Sequence, residues 1–170
     1  AAIDGIKRSD GSQLHSIYGR RPELVSEFQA RHDIPHGSTD LDTTLTDPQV
    51  DAVYIGVPNH MHHEVAIKAS QAGKAVLSEK SLTTTLVDAN ALLQALSQSG
   101  TLFVEGWMYL AHPLLTRFTE VLRDGRLGAL RSISGHYCAD IWQVVNPKGM
   151  GTLYNLGCYP ASLLHLTVQT

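Results

Sequence analysis

Residues 51–81, DAVYIGVPNHMHHEVAIKASQAGKAVLSEKS, decide the fold of this chain. The run DAVYIGVP is continuously apolar and rich in β-branched residues, which is typical of a strand covered on both faces. Residues 60–71 predict a helix that stops at Gly73, because glycine readily adopts the backbone conformation that ends a helix. AVLS is the next strand, and Glu79 and Lys80 stand where it meets a loop. The stretch therefore predicts two parallel strands joined by a helix, with two charged side chains at one edge.

The same alternation continues on both sides of this stretch. QLHSIY, residues 13–18, predicts a strand, and Pro22 starts a helix whose apolar residues have helical spacing. DLDTTLTDP predicts a short helix that closes before Pro48, because the residue before a proline disfavours helical geometry. TTLVDANALLQALSQS predicts another helix and TLFVE another strand. Strands and helices that alternate over short connections predict a doubly wound α/β domain with a parallel sheet.

The pattern changes after Gly106, where we place a domain boundary between residues 1–106 and 107–170. PLLTRFTEVLRDG predicts a helix, and ALRSISGHYCAD alternates like a strand with one face in water. GTLYNLGCYPASLLHLTV predicts one further, largely apolar helix. This second part is therefore predicted to combine helices with one strand.

The composition excludes several classes of protein. The 170 residues include 43% hydrophobic ones, as in a folded globular protein. A net charge of -3 gives no basic face for nucleic acid. No apolar run is long enough to span a membrane, and no signal peptide is evident. The two cysteines do not form a disulfide framework, so a cytoplasmic location is expected.

Polar or glycine-containing segments follow each of the strands. They read YGRR, VPNHMHH, SEKS and EGWMY. The carboxyl ends of parallel strands meet at one edge of a sheet, and ligands bind in the crevice beyond that edge. A charged turn in water is the ordinary alternative for Glu79 and Lys80. Because four such segments converge, we interpret the edge as a site in which Lys80 can take part in proton transfer.

DPQVDAVYIGVPNHMHHEVAIKASQAGKAVLSEKSLTTTLVDA resembles the core of the glucose–fructose oxidoreductase and inositol dehydrogenase (Gfo/Idh/MocA) family of NAD(P)-dependent oxidoreductases. EGWMYLAHP and GMGTLYNLGCYP continue the resemblance into the second part. It implies a Rossmann-like fold followed by the start of an α+β substrate domain. The EKP motif of that family supplies a cofactor-contacting glutamate and a catalytic lysine, here Glu79 and Lys80, with Ser81 in place of the proline.

The resemblance also implies a second catalytic element, in which an acidic residue is followed four positions later by histidine or tyrosine. Asn155 and Tyr159 occupy these positions here, and the tyrosine resembles the branch with dihydrodiol and xylose dehydrogenases. A spacing of four places both side chains on one face of a helix. Asn155 can hydrogen-bond a hydroxyl group but cannot accept a proton as a carboxylate does. A tyrosine packed in the core is the alternative for Tyr159.

The cofactor prediction depends on the turn after the first strand. This turn carries Gly19, Arg20 and Arg21, with no acidic residue for the ribose 2′-hydroxyl of NAD. Guanidinium groups suit a 2′-phosphate, so NADP is favoured over NAD, with a solvated basic turn as the alternative. The resemblance places further residues beside the cofactor: Pro58, Asn59, His62, Trp107 and Met108.

The histidines of NHMHH are possible metal ligands, but no cysteine or carboxylate completes a set, so no metal is predicted. The G-x-G-x-x-G turn that binds the pyrophosphate is absent. Residues 1–9 resemble the end of the helix that follows that turn. We therefore expect a fragment or a truncated product, in which the loss of a central strand leaves its two neighbours unpaired.

The resemblance implies hydride transfer between NAD(P) and a secondary alcohol or ketone of a sugar-like or cyclic polyol substrate. It also implies a homo-oligomer, a dimer or tetramer, for the full-length protein. Lys80 and Tyr159 are predicted to hydrogen-bond the reacting oxygen, with Lys80 easing deprotonation of Tyr159. Two alternatives stay open: a non-catalytic dinucleotide-binding or regulatory homologue (or inactive fragment), and an interaction module with exposed sheet edges.

Overall fold

The computed structural model describes residues 2–141, 143 and 147–168 of the chain. In these residues the α-helices, α1 to α8 in chain order, are Ala2–Arg8, Pro22–His32, Leu41–Thr46, His62–Gln71, Leu86–Ser99, Pro113–Arg123, Gly151–Leu156 and Cys158–Val168. The strands, β1 to β5, are Ser16–Tyr18, His36–Ser38, Ala52–Ile55, Ala75–Glu79 and Phe103–Gly106. Short 3₁₀ helices lie at Asn59–Met61, Met108–Ala111 and Pro147–Gly149.

The strands form two parallel sheets. One contains β1 and β2, and the other has the order β3, β4, β5. The helix α4 connects β3 to β4, and α5 connects β4 to β5. This arrangement confirms the predicted alternation and the parallel α/β class. The sheet is also divided between β1 and β3, which confirms that two neighbouring strands lack a common partner in the described part of the chain.

The crossover helix α5 shows how the sequence sets an element's ends. At its start the Thr85 hydroxyl accepts a hydrogen bond from the Asp88 amide at 3.1 Å, which satisfies an amide that has no partner within the helix. At its end Gly100 takes the left-handed conformation, with φ 65°. Its amide donates to Leu96 O at 3.0 Å. The cap and the glycine fix the length of the connection from β4 to β5.

One face of the three-stranded sheet is covered by α4 and α5. The buried core there consists of Leu45, Ile55, Val65, Ala66, Ala69, Val76 and Leu92. Leu92 is completely buried, and a side chain of this kind stabilises the fold by about 1.5–3 kcal/mol. This packing holds β3 and β4 rigidly and so fixes the position of the loops that leave their carboxyl ends.

The other face of the same sheet is open in the residues that the structure describes. Tyr54, Leu77 and Val104 lie opposite one another on β3, β4 and β5. Their exposed fractions are 39%, 44% and 47%. The prediction that β3 is covered on both faces is therefore wrong for the described residues, because the helices α4 and α5 cover only one face.

The second part of the chain differs from its prediction in two places. No strand forms at residues 129–140, which are exposed. An alternating pattern places the apolar side chains of a strand on one face, but the strand also needs a partner strand for its backbone hydrogen bonds. No such partner is present among the described residues. The helix predicted at 151–168 is divided into α7 and α8. Pro160 explains the break, since it has no amide to donate to the carbonyl four residues earlier.

None of the helices in the described residues is both long enough and apolar enough to cross a membrane.

Candidate active site

A cleft of about 440 Å³ opens at the carboxyl ends of β3 and β4. The loop after β3 forms one wall, and Gly149 and Gly151, before and at the start of α7, contribute to the opposite wall. Six residues predicted for the site line this cleft: Pro58, Asn59, His62, Glu79, Lys80 and Asn155. The fold therefore brings together predicted residues that are up to about a hundred positions apart in sequence.

The Lys80 side chain crosses the cleft from the end of β4 to α7. Its ammonium donates to Asn155 O at 2.6 Å and to Asn155 Oδ1 at 3.0 Å. The neighbouring Ser81 hydroxyl donates to Tyr154 O at 2.5 Å. Both acceptors of Lys80 are neutral carbonyl oxygens, so Asn155 orients the ammonium without neutralising its charge.

Tyr159 lies on α8 within a group of aromatic rings. The ring centroids of Trp107, Tyr109 and Tyr137 lie 6.1, 5.9 and 5.2 Å from its own. The Lys80 ammonium lies 5.1 Å from the Tyr159 ring centroid, a cation–π distance. Asn155 and Tyr159 were expected on one helix and lie on two. Both nevertheless contact Lys80.

The pKa of the Tyr159 hydroxyl is raised, chiefly because the side chain is partly buried, with added repulsion from Tyr137, Cys158 and Glu79. This direction is opposite to the predicted effect of Lys80, which was expected to ease the loss of the proton. The ammonium lies over the face of the ring rather than beside the oxygen, and burial dominates. Tyr159 thus holds its proton at neutral pH.

Tyr54 is a neighbour of the cleft residue Glu79 that the sequence prediction missed. Its hydroxyl donates to Glu79 Oε1 at 2.8 Å. Burial, together with this carboxylate, raises the pKa of Tyr54 to about 12. Because Tyr54 lies opposite Leu77, Glu79 is its diagonal neighbour on the same face of the sheet. That relation requires the strand register, which the sequence does not give.

Gly149 is the second missed residue. The Asn59 side-chain amide donates to Gly149 O at 2.9 Å and so connects the loop after β3 to the segment before α7. A β-carbon at Gly149 would lie 1.8 Å from Asn59 Oδ1. Only glycine therefore allows this close approach. The glycine-rich GMG segment was the available sequence signal, although the partner of Gly149 was not predictable.

The remaining predicted contacts have different surroundings. His62 lines the cleft, but backbone carbonyls lie against both of its ring nitrogens. Trp107 donates from Nε1 to Glu105 Oε2 at 2.8 Å and packs edge-on against Tyr159. Met108 is 64% exposed. His62 contacts Ser81, the residue after Lys80, and Trp107 packs against Tyr159, which contacts Lys80.

A second cavity, of about 570 Å³, lies at the carboxyl end of β1. Gly19, Arg20 and Arg21 line it, together with apolar side chains of α2. Both arginines are exposed, and neither forms an ion pair with a residue that the structure describes. Guanidinium groups suit a phosphate group by charge and by their bidentate donors.

The NHMHH histidines do not converge on a metal site. Within the described part of the chain, no three His, Cys, Asp or Glu side chains come close enough to hold an ion. His63 instead places Nε2 at 3.5 Å from Asp88 Oδ1.

Residues 2–106 match the Gfo/Idh/MocA oxidoreductase family, described as an oxidoreductase family with an NAD-binding Rossmann fold. The chain belongs to this family. The match ends where the sequence analysis places a domain boundary, which itself stays a prediction.

Two curated relatives illustrate the range of the family. The dTDP-3,4-didehydro-2,6-dideoxy-α-D-glucose 3-reductase of Actinomadura kijaniata is 35% identical over 94% of this chain and 49% of its own length. The D-xylose 1-dehydrogenase (NADP⁺) 2 of Haloferax volcanii is 30% identical over 100% of this chain and 54% of its own. The chain thus spans about half the length of these curated relatives.

The solved structures that this chain resembles are also oxidoreductases. A tyrosine-to-phenylalanine mutant of a 3-ketoreductase from Actinomadura kijaniata, in complex with TDP-benzene and NADP, has a TM-score of 0.83 and 28% identity. The superposition covers 98% of this chain and 53% of that one. Apo scyllo-inositol dehydrogenase from Lactobacillus casei, at 21% identity and a TM-score of 0.69, shares the fold over 74% of this chain and 38% of its own.

Proposed function

We propose that the protein containing this chain transfers a hydride between NADP and a secondary alcohol or ketone of a sugar-like or cyclic polyol substrate. The observation that carries this proposal is the placement of Lys80. Asn155 holds its ammonium at 2.6 and 3.0 Å, and the Tyr159 ring centroid lies 5.1 Å away, at the carboxyl edge of the sheet. Ligands of open α/β sheets bind at this edge.

Each of these side chains has a distinct part in the proposed reaction. The nicotinamide, when bound, supplies or accepts the hydride. The positive charge of Lys80 stabilises negative charge that develops on the reacting oxygen. The Tyr159 hydroxyl donates a proton to that oxygen during reduction and accepts it back during oxidation. The hydroxyl is protonated at neutral pH, as the donor role in ketone reduction requires, but its raised pKa makes it a weaker acid, so proton donation depends on the charge of Lys80 beside the reacting oxygen.

The names of the relatives support the substrate class. One is a reductase of a keto sugar linked to dTDP, and another is a D-xylose dehydrogenase. Both act on hydroxyl or keto groups of sugars. The same comparison supports the cofactor, because NADP is part of the second name and was bound in the 3-ketoreductase structure.

The cofactor choice is tested by changing Arg20 and Arg21 to alanine in the full-length protein. Loss of a hydrogen bond to a charged group weakens NADP binding by about 1.5–3 kcal/mol, while NAD, which lacks the 2′-phosphate, should bind as before. Arg31→Ala is the matched control, since Arg31 lies on the adjacent helix and pairs with Glu27. Calorimetric dissociation constants that rise equally for NAD and NADP would contradict the assignment.

A cofactor-binding protein without turnover is the second candidate, and Asn155 favours it, because an amide cannot accept a proton as a carboxylate does. The two candidates are separated by assaying the full-length protein with NADPH and a panel of keto sugars and cyclic ketones. Cofactor consumption above the background rate supports the enzyme. Tight NADPH binding with no consumption on any substrate of the panel supports the non-catalytic candidate.

A further inference from the structure

The His62 imidazole lies beneath the turn that carries Lys80. His62 is the first residue of α4 and is only 2% exposed. Its Nδ1 atom lies 2.8 Å from Ser81 O, and its Nε2 atom lies 2.7 Å from Val57 O. The ring therefore bridges the loop after β3 and the loop after β4, next to the lysine.

The number of donors in the ring determines which form fits this position. A neutral imidazole has one N–H and one lone pair, whereas the imidazolium has two N–H groups. Backbone carbonyls only accept. A neutral ring would therefore point a lone pair at a carbonyl oxygen at hydrogen-bond distance inside the protein, which is unfavourable.

We propose that His62 is held as an imidazolium whose two N–H groups fasten Val57 O and Ser81 O, and that it acts as a positioning residue for Lys80. This inference deepens the proposed function, because it concerns the orientation of the same lysine. Ser81 would be held from two sides, by His62 at its carbonyl and by Tyr154 O at its hydroxyl. The Lys80 backbone then has little freedom while its ammonium reaches Asn155.

A buried cation needs a counter-charge, and Glu105 on β5 is suited to this role. Its Oε2 accepts from Trp107 Nε1 at 2.8 Å, while its Oε1 is buried without a hydrogen-bond partner. The pKa of Glu105 is raised, chiefly because the side chain is buried, while the hydrogen bond from Trp107 and the positive charge of His62 act in the opposite direction. The carboxylate and the imidazolium therefore stabilise each other.

Other charged groups on the elements around His62 are engaged elsewhere or add negative charge. Tyr54 holds Glu79, Asn155 holds Lys80, and His63 faces Asp88 of α5. Glu64 lies in the first turn of α4, where it offsets the unfavourable position of a cation at a helix start. Lys68, also on α4, pairs with Asp42. The charged groups and histidines on these elements are thus His60, His63, Glu64, Lys68, Glu79, Lys80, Asp88 and Glu105.

The proposal is tested directly by NMR of the chain with isotope-labelled histidine, a measurement that does not depend on turnover. We expect both His62 ring nitrogens to carry protons at neutral pH. Loss of the signals in His62→Gln assigns them. A single N–H on His62 at neutral pH overturns the proposal, whether or not the protein is an enzyme.

Glu105→Gln provides a second test without altering His62 itself. The variant removes the counter-charge and keeps the shape, so one of the two N–H signals of His62 should weaken at neutral pH. Glu27→Gln, at an exposed carboxylate that pairs with Arg31, is the matched control and should leave the His62 signals unchanged. If Glu105→Gln leaves both N–H signals of His62 unchanged, the pairing of His62 with Glu105 is wrong.

In the active full-length protein, His62→Gln should lower kcat by about ten- to a hundredfold, as expected when a reacting group is displaced slightly. KM should change little, because both ring nitrogens of His62 lie against backbone carbonyls and neither is free to bind the substrate. A normal kcat in a folded His62→Gln variant would contradict the positioning role. A parallel rise of KM with unchanged kcat would also contradict it.

Discussion

Replacing Lys80 with methionine tests the central part of the site. Methionine keeps most of the volume of the lysine stem and removes only the ammonium, so the packing around β4 should be little disturbed. Two effects follow from the contacts of Lys80. The chain loses two hydrogen bonds to α7, and the reacting oxygen loses its positive neighbour.

The structural effect can be worked out from these contacts. Hydrogen bonds that involve a charged group contribute about 1.5–3 kcal/mol each. Lys80 and Asn155 are only partly buried and face an open cleft, so we take about 1.5–3 kcal/mol for both bonds together. For a chain of this size, each kcal/mol lowers Tm by about 2–4 °C. Lys80→Met should therefore lower Tm by roughly 3–12 °C.

The catalytic effect should be much larger. Loss of a group that takes part in proton transfer reduces kcat by about a hundred- to ten-thousandfold. Tyr159→Phe should reduce the same step. Because both groups serve one reacting oxygen, the double variant should be far more active than the product of the two single losses predicts.

The assay is a double-mutant cycle on kcat in the full-length protein, followed by cofactor absorbance, with thermal melts as the control for folding. Lys68→Met is the matched variant, because Lys68 lies outside the cleft and pairs with Asp42 at 3.3 Å. That exposed pair contributes at most about 1 kcal/mol, and turnover should not change. Near-normal turnover of Lys80→Met would refute the assignment of Lys80 and Tyr159. A loss of kcat in the double variant equal to the product of the two single losses would also refute it.

Two further predictions concern the walls of the cleft. Gly149→Ala should disrupt the hydrogen bond from Asn59 and weaken substrate or cofactor binding, since the added carbon would lie 1.8 Å from the amide oxygen. Gly135→Ala, where a β-carbon meets nothing within 4 Å, should have no effect, and equal binding constants for both variants would contradict this reading. Tyr54 should titrate at about pH 12 in ultraviolet absorbance, so its contribution to stability is present below about pH 10 and is lost as the pH rises toward 12. Disappearance of this late transition in Tyr54→Phe assigns it, and a titration at the ordinary value would show that the bond to Glu79 does not form.

The sequence predicted the first part of the fold well because its signals are local. Gly73 and Gly100 mark the ends of helices, and both have positive φ values in the structure. The position of Lys80 at the sheet edge followed from a general property of parallel strands. By contrast, β2 was missed, since the residues HGS carry no apolar pattern and form a strand only by pairing with β1.

The failures in the second part have a common physical cause. Alternation at residues 129–140 describes which side chains would share a face, but strand formation depends on a partner outside that segment. The break between α7 and α8 was readable in principle from Pro160, whose missing amide interrupts the helical ladder. The prediction of one helix rests on the apolar character of the segment, which does not account for the proline, and it is wrong.

The geometry of the site depends on contacts between distant parts of the chain. The hydrogen bonds of Asn59 with Gly149, Lys80 with Asn155 and Ser81 with Tyr154 span 90, 75 and 73 residues. No periodic pattern encodes bonds of this kind, because each requires that the segment before and within α7 dock against the edge of the sheet. Family resemblance could name Lys80, Asn155 and Tyr159, but only the docked arrangement shows that Asn155 acts first as the acceptor that holds the lysine. The residues of this site could therefore be predicted individually, whereas the contacts between them follow only from the tertiary structure.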